Sequence, residues 1–467
     1  MDLSDIVVTL SHLIVFVVFA NRYFVGMWVR RLMAKNLAEI DESLEPTVSI
    51  VVPMFNEGEG IYRTIHSLAN LDYPVEKFDV IVVDDCSTDD SHDWASKGAA
   101  EFDNVRVIQN PENMGKRKGI NRAVRASDAE IIISVDSDVI VDRDVVRKLV
   151  CRFTRDQIAA VGGRVNILNK DENWLTRMQA VKYFFGYEYL KNLENAFNTV
   201  MCLSGCLTAY RRHVLMELEP ILENRSICGI PIKYGEDRFL TRHIVKAGYQ
   251  TRMTLEANAY TIAPPTLTHY FSQQLRWRRS NLVDYFAGLT HIWKVHPAVT
   301  VHYLGLFAMM ATYPLIIMHH FIAGNFFPLA VIHVGVLAVF CLAYQAHALR
   351  LPQKKRTSPF EFMAMAFVMP VTYLLLTPLA AFTLDTGSWE TRGHGDGKPD
   401  EAPATPPVPA TPQPIPAPMP QPAMASMAHA NVVSLAPARA ARVSLTSDLL
   451  PSVEQRPSYQ RVAAADR

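Results

Sequence analysis

The chain has 467 residues with 46 Lys+Arg and 46 Asp+Glu, so its net charge is zero and the total gives no sign of a nucleic-acid partner. That length holds one large domain with further segments, at roughly 100–200 residues per domain. Six cysteines (Cys86, Cys151, Cys202, Cys206, Cys228 and Cys341) make no CxxC pair, which argues against a zinc site or a disulfide framework and fits reduced cytosolic thiols.

In chain order, residues 6–29 are mainly apolar, interrupted by His12 and Arg22, and long enough to cross a hydrocarbon core of about 30 Å as a helix. Asp2 and Asp5 precede the stretch; Arg30, Arg31 and Lys35 come after it. The positive-inside rule then places the start outside and the middle of the chain in the cytosol. A cleaved signal peptide is the rival, but the basic leader and a small-residue cleavage site are missing.

From 47 to about 263 the pattern changes to strands alternating with helices. Val48–Val52, Val80–Val83 and Ile131–Ile133 are short β-branched runs of the kind buried parallel strands use. Residues 60–70 and 118–125 between them have helical spacing. The alternation predicts an α/β fold, a parallel sheet with helices on both faces and ligands beyond the carboxyl ends of the strands. The residues found there are acidic: Asp84-Asp85 after one strand, Asp136-Ser137-Asp138 after another. Clustered carboxylates repel unless a cation or donor groups lie between them. Asp-x-Asp after a strand suits Mg2+ or Mn2+, which take oxygen ligands and hold substrate phosphates. A lone DxD is also common by chance, and Asp84-Asp85 alone is equally compatible with capping the next helix. No Gly-rich phosphate loop appears, so a metal and basic side chains must neutralise any phosphate.

Two further apolar stretches, 299–322 and 326–349, precede a basic loop with Arg350, Lys354, Lys355 and Arg356, expected on the cytosolic side. A third, 360–384, contains Pro370 and Pro378 and has basic residues on both flanks. A re-entrant or interfacial helix pair is preferred there, although prolines are tolerated in spanning helices. The tail from Gly393 is Pro/Ala-rich and too poor in bulky apolar residues to offset chain entropy, so disorder is expected. The expected organisation is an N-terminal membrane helix and linker (1–45), a cytosolic catalytic domain (46–283), interfacial and membrane helices with a loop (284–392), and the tail (393–467).

Seven motifs then occur in one order: Val52-Pro53-Met54-Phe55-Asn56-Glu57, Val83-Asp84-Asp85-Cys86-Ser87, Gly115-Lys116-Arg117, Asp136-Ser137-Asp138, Ser204-Gly205-Cys206, Gly235-Glu236-Asp237-Arg238 and Gln273-Gln274-Leu275-Arg276-Trp277. From 47 to 392 the chain resembles processive family-2 glycosyltransferases, both hyaluronan synthases and rhizobial chitin-oligosaccharide synthases. The resemblance implies a GT-A type, Rossmann-like catalytic domain. It also implies a multi-pass protein of a bacterial-type inner membrane, with a UDP-sugar donor, a growing polysaccharide acceptor and the bilayer as partners.

By that resemblance Pro53, Glu57, Asp84, Lys116, Arg117, Asp136, Gln273 and Arg276 serve the donor, with Asp84 on the uracil. Asp138 holds the metal, a Lewis acid for the UDP leaving group. Asp237, with Glu236 beside it, is the general base that takes the acceptor hydroxyl's proton. Attack from the opposite face of an α-linked donor gives a β-linkage. Trp277 stacks under the acceptor sugar, and Ser204, Gly205 and Cys206 line its pocket. Cys206 stands where hyaluronan synthases commonly have proline, which leaves acceptor choice open. Ser388-Trp389-Glu390-Thr391-Arg392 resembles a gating loop, with Glu390 where glycine is usual and with Trp389, Thr391 and Arg392 toward the donor.

Blander readings stand beside these. Glu236-Asp237-Arg238 also suits a local ion pair at a helix start. Gln273, Arg276 and Trp277 share a helical face and also suit an interfacial helix, with Trp277 as anchor and Arg278 and Arg279 at lipid phosphates. Ser388–Arg392 also reads as an aromatic-basic membrane boundary. The expected product is a β-linked polymer from UDP-N-acetylglucosamine, hyaluronan-like or chitin-like. The rivals are a non-processive lipid-phosphate glycosyltransferase and a non-catalytic membrane scaffold. The sequence leaves the oligomeric state open.

Overall fold

The computed structural model describes residues 3–20, 39–223, 225–227, 230–232 and 234–385. The expected gating loop (Trp389, Thr391, Arg392) and the tail lie outside the described residues, as does the second half of the 6–29 stretch, whose helix α1 is described over Leu3–Ala20.

An eight-stranded sheet forms the centre. In chain order its strands are β1 (Val48–Met54), β2 (Phe78–Asp84), β3 (Val105–Gln109), β4 (Ile131–Ser134), β5 (Ile140–Val141), β6 (Ile158–Ile167), β7 (Thr208–Arg211) and, after the two-residue β8 (Ser226–Ile227) and β9 (Ile230–Pro231), β10 (Gln250–Thr261). The spatial order is β3-β2-β1-β4-β7-β6-β10-β5. Strands β3, β2, β1 and β4 are parallel, as the β-branched runs predict. Two strands depart from the expected parallel sheet: β7 is antiparallel to β4 and β6, and β5 to β10, while β6 and β10 are parallel to each other. The two reversed strands have four and two residues, too short to carry the continuous apolar run that marks a buried parallel strand.

All seven residues of β1 are buried, which requires cover on both faces. Helix α2 (Gly60–Ala69) supplies part of it with Ile61, Ile65 and Leu68, spaced by four and three residues so that one stripe meets the sheet. Helices α3 (Ser91–Ala99), α4 (Lys116–Arg125), α5 (Val145–Val150), α6 (Trp174–Phe185), α7 (Arg212–Glu223), α8 (Glu236–Lys246) and α9 (Leu267–Gly288) complete the layers. Burying each such aliphatic side chain contributes about 1.5–3 kcal/mol, the term that offsets backbone ordering.

Among the described residues, three helical stretches are long and apolar enough to cross a membrane: α10 (Pro297–Ile322), α11 (Phe326–Ala348) and the composite Phe360–Phe382. Gly324, at φ +68°, closes the tight turn between α10 and α11, a conformation only glycine adopts without strain. Between these helices His333 Nδ1 donates to the Leu329 carbonyl (2.7 Å), which leaves Nε2 to accept from the Tyr313 hydroxyl at 2.5 Å. His12 of α1 meets His320 of α10 with ring nitrogens 3.3 Å apart.

The composite stretch has a 3-10 start, helix α12 (Met365–Val371), a π-helical section Thr372–Leu376 and helix α13 (Thr377–Phe382). Pro370 and Pro378 remove two backbone donors here, and the irregular sections accommodate the loss. Both ends of the stretch touch the α/β domain. At the start, Glu361 pairs with Arg177 (2.6 Å) and Thr357 donates to Asp171 (3.1 Å). At the end, Thr383 accepts from Arg279 (3.0 Å) and the Leu384 carbonyl accepts from Tyr234 (2.9 Å).

Candidate active site

The β1–β2 register pairs Pro53 with Val83 and Met54 with Asp84, which sets the first two motifs side by side. Asp84 is fully buried: Oδ1 accepts from the Ser87 amide (3.0 Å), and Oδ2 meets His92 Nδ1 and Gln109 Nε2, both at 3.1 Å. A carboxylate with no exposed surface braces its loop. Asp85 is bound as fully, by Asn110 and by the amides of Met114 and Gly115 at 2.7–2.8 Å. Neither aspartate caps the next helix, which starts at Ser91. Glu57 Oε1 accepts from the Ser137 hydroxyl (2.9 Å), tying the first motif to the centre of the DxD.

Lys116 ties the DxD to the acidic turn of α8. Its ammonium lies 2.6 Å from Asp136 Oδ1 and 3.0 Å from Glu236 Oε1, joining a carboxylate beyond β4 to one at the start of that helix. Burial alone pushes the Glu236 carboxyl up, but the Lys116 charge, helped by hydrogen bonds, outweighs it and holds the group at about 2. Lys116 keeps its proton because Asp136 and Glu236 together outweigh its own burial. Arg117 turns elsewhere and donates to the Leu222 carbonyl (3.0 Å), so Lys116 is the basic residue at the DxD. A Cβ on Gly205 would stand 3.3 Å from Lys116 Nζ, which shows how closely the Ser204-Gly205-Cys206 loop passes the ion pair. Asp138 Oδ2 accepts from the Thr261 hydroxyl at the end of β10 (2.9 Å).

Glu236 and Asp237 occupy the first turn of α8, where the helix dipole favours negative charge. Gly235 caps that helix at φ +70°, and a Cβ there would fall 2.0 Å from Ser280 Oγ of α9. Helix α9 carries Gln273, Arg276 and Trp277, all partly exposed, while Gln274 on the other side is buried. The Arg276 charge acts on Glu236, and Arg276 Nε is a buried donor without a protein partner. The structure thus brings Asp136, Glu236, Lys116 and Arg276 into one electrostatic group, with Ser204–Cys206 beside it.

Several contributors had no sequence motif to reveal them. Tyr183 of α6 sets its ring against Trp277, centroids 6.3 Å apart at 52°. Lys182 next to it donates to Gln274 Oε1 (2.8 Å) and the Tyr270 hydroxyl (3.3 Å), docking α6 on α9; burial, then the nearby Arg278, pulls its pKa down to about 7. Thr261, His92 and Gln109 act through Asp138 and Asp84. The only hint for α6 was the aromatic density of Tyr183–Tyr189, which apolar periodicity assigns to core. Among the described residues, no group of three or more His, Cys, Asp or Glu side chains is placed to hold a metal. A divalent ion here would therefore take most of its shell from substrate oxygens and water, which Mg2+ and Mn2+ accept.

The profile described as glycosyl transferase family 2 matches residues 49–219. An N-acetylglucosaminyltransferase of Rhizobium meliloti (strain 1021) is 31% identical over 360 residues, 74% of this chain and 82% of that protein. One from Azorhizobium caulinodans is 32% identical over 277 residues, 58% of this chain and 69% of its own length. Among solved structures, the mannosyltransferase PcManGT of Pyrobaculum calidifontis, in complex with GDP-Man and Mn2+, superposes with a TM-score of 0.52 at 19% identity. The match covers 80% of this chain and 99% of that one, a likeness of fold. With the GT-A fold, the ordered motifs and relatives matched over most of their length, the chain belongs to glycosyltransferase family 2.

Proposed function

We propose that the protein is a processive, inverting transferase that extends a β-linked polymer from UDP-N-acetylglucosamine and passes it through its own membrane helices. The observation that carries this reading is the Lys116 bridge, which joins the DxD carboxylate Asp136 to the acidic turn of α8 through one ammonium. Donor and acceptor chemistry then meet at one point. The name of the rhizobial relatives supports N-acetylglucosamine as the transferred sugar.

In this mechanism Asp237 removes the proton of the acceptor hydroxyl as the new bond forms. Lys116 keeps Glu236 ionised and fixed beside it. Gln273 and Arg276 face the diphosphate, and the unpartnered Nε of Arg276 gives it a donor for a phosphate oxygen. Trp277 forms the floor for the terminal acceptor sugar. Asp84 acts on the base through the Ser87 and His92 it orders. Asp138 offers hard carboxylate oxygens two residues from Asp136 in the DxD, the ligand type a divalent cation takes; Mg2+ or Mn2+ held there would stabilise charge on the departing UDP. The Mn2+ in the mannosyltransferase supports that choice.

Lys355, in the basic loop after α11, donates to Asn258 of β10 (2.6 Å), so the α/β domain shares that loop's side of the bilayer, the cytosol by the positive-inside rule. The return of both ends of Phe360–Phe382 to the domain favours the re-entrant reading of that stretch.

The decisive test supplies labelled UDP-N-acetylglucosamine alone or with UDP-glucuronate, then digests the product with chitinase or hyaluronidase. Polymer from the first donor alone, cut by chitinase, is expected. A single-sugar product on a lipid would replace the reading with the non-processive one, and absence of any transfer would favour the scaffold. Asp237→Asn should retain UDP binding and lose polymerisation by about 100-fold or more.

A further inference from the structure

We propose that Arg225 and Tyr234 form a positioning clamp that fixes the acidic turn Gly235–Asp237 and couples it to the end of the third apolar stretch at Leu384. The inference rests on the reading of Asp237 as the base.

Arg225 is 5% exposed, and its Nη1 donates to two successive carbonyls, Tyr234 O at 2.6 Å and Gly235 O at 3.0 Å. Its guanidinium lies over the Phe239 ring at 4.7 Å, one turn into α8. Burial draws its pKa down to about 10, with Asp284 opposing, so it remains a cation at neutral pH. The bonds it makes are therefore charge-assisted and aimed at the two residues that immediately precede Glu236 and Asp237.

Tyr234 faces the other way with its side chain. The ring is 7% exposed, packs with Ile232, Val283 and Leu384, and its hydroxyl donates to the Leu384 carbonyl at 2.9 Å. One residue thus offers its carbonyl to Arg225 and its hydroxyl to the membrane stretch. Beside it Gly235 has no slack, because Ser280 fills the space where a Cβ would go. The turn is held by Arg225, by Leu384 and by α9, which also carries Arg276 and Trp277. A shift of the Leu384 end therefore moves the carboxylates relative to the acceptor floor, linking the membrane segment to the chemical step.

The test uses the full chain in membranes. Tyr234→Phe removes only the hydroxyl and keeps the ring. It should lower kcat for sugar transfer about 10-fold while UDP affinity stays within about 2-fold, since a small displacement of a catalytic group acts on turnover. Arg225→Ala should lose about 100-fold, with Arg225→Lys recovering part of it by restoring one charged donor. A purely structural role would not separate kcat from UDP affinity or permit that recovery. Wild-type kcat in Tyr234→Phe, or a loss matched by equal loss of UDP affinity in both Tyr234→Phe and Arg225→Lys, overturns the clamp. Asp237→Asn, measured alongside, separates the two ideas. If it is inactive while Tyr234→Phe is normal, the clamp alone fails; if it is fully active, the base assignment fails and the clamp with it.

Discussion

The two sides of the site are held in different ways. On the proposed donor side, Asp84 and Asp85 are saturated by groups within or close after the adjacent parallel strands β2 and β3: the Ser87, Met114 and Gly115 amides with Gln109 of β3, Asn110 and His92 of α3. On the acceptor side, Glu236 and Asp237 depend on Lys116 from α4, Arg225, Ser280 of α9 and Leu384, the last bonded to Tyr234 from 150 residues away. One side is braced mainly by short connections and the register of a parallel sheet, the other by side chains arriving from separate segments. The donor side should therefore tolerate change elsewhere in the chain, and the acceptor side should be sensitive to it.

The largest expected effect tests the donor side at its centre. Asp138→Asn should reduce transfer about 1,000-fold without altering circular dichroism, since it removes one ligand charge and adds no bulk. Full activity in magnesium or manganese would take Asp138 out of the mechanism.

Lys116→Met breaks the link between the sides. It leaves Asp136 and Glu236 without their shared cation, at a cost of about 3 kcal/mol read from chemical unfolding. The same variant carries a pH test. Glu236 sits at about 2 in the fold against 4.5 ordinarily, so its contribution is complete above 4.5 and fades as pH falls toward 2. The wild type should lose stability across that window, and Lys116→Met should show a shallower slope there. Equal slopes would mean that Lys116 does not hold the carboxylate ionised.

A smaller effect sharpens the acceptor side. Gly235→Ala should cost about 2 kcal/mol, from a left-handed φ and the clash with Ser280. Adding Ser280→Gly should relieve the clash and leave the conformational part, so a double variant no better than the single one would argue against the close approach.

The smallest lies beyond the DxD. Thr261→Val removes the hydroxyl that orients Asp138 and should raise the metal concentration for half-maximal activity about 10-fold, with maximal rate nearly kept. No change would show that Asp138 keeps its place without the Thr261 hydroxyl.

Much of the donor side is legible in the sequence. The runs at Val48, Val80 and Ile131 form parallel strands, and the rule that ligands gather at their carboxyl ends leads to Asp84, Asp136 and Asp138. The order of seven motifs indicates the family, and hydropathy locates α10, α11 and the third stretch. The reversal of β7 and β5 is not legible because strands of four and two residues are too short to carry a continuous apolar run. Asp84 and Lys116 show the limit within the motifs themselves: the motif does not reveal that Asp84 is buried against Ser87, His92 and Gln109, nor that Lys116, not Arg117, reaches the DxD.

What the sequence determined alone was local: which runs are apolar, where acids come after strands, and which residues share a helical face. These depend on neighbours a few positions apart, and periodicity and motif spacing record them. Only the tertiary structure decided that Lys116 joins Asp136 to Glu236, that Tyr183 backs Trp277, and that Tyr234 connects the acidic turn to Leu384. Those contacts join segments roughly 20 to 150 residues apart, and no period or spacing encodes them. They exist because sheet order and helix packing bring distant side chains to one point, where burial makes each polar group take a partner.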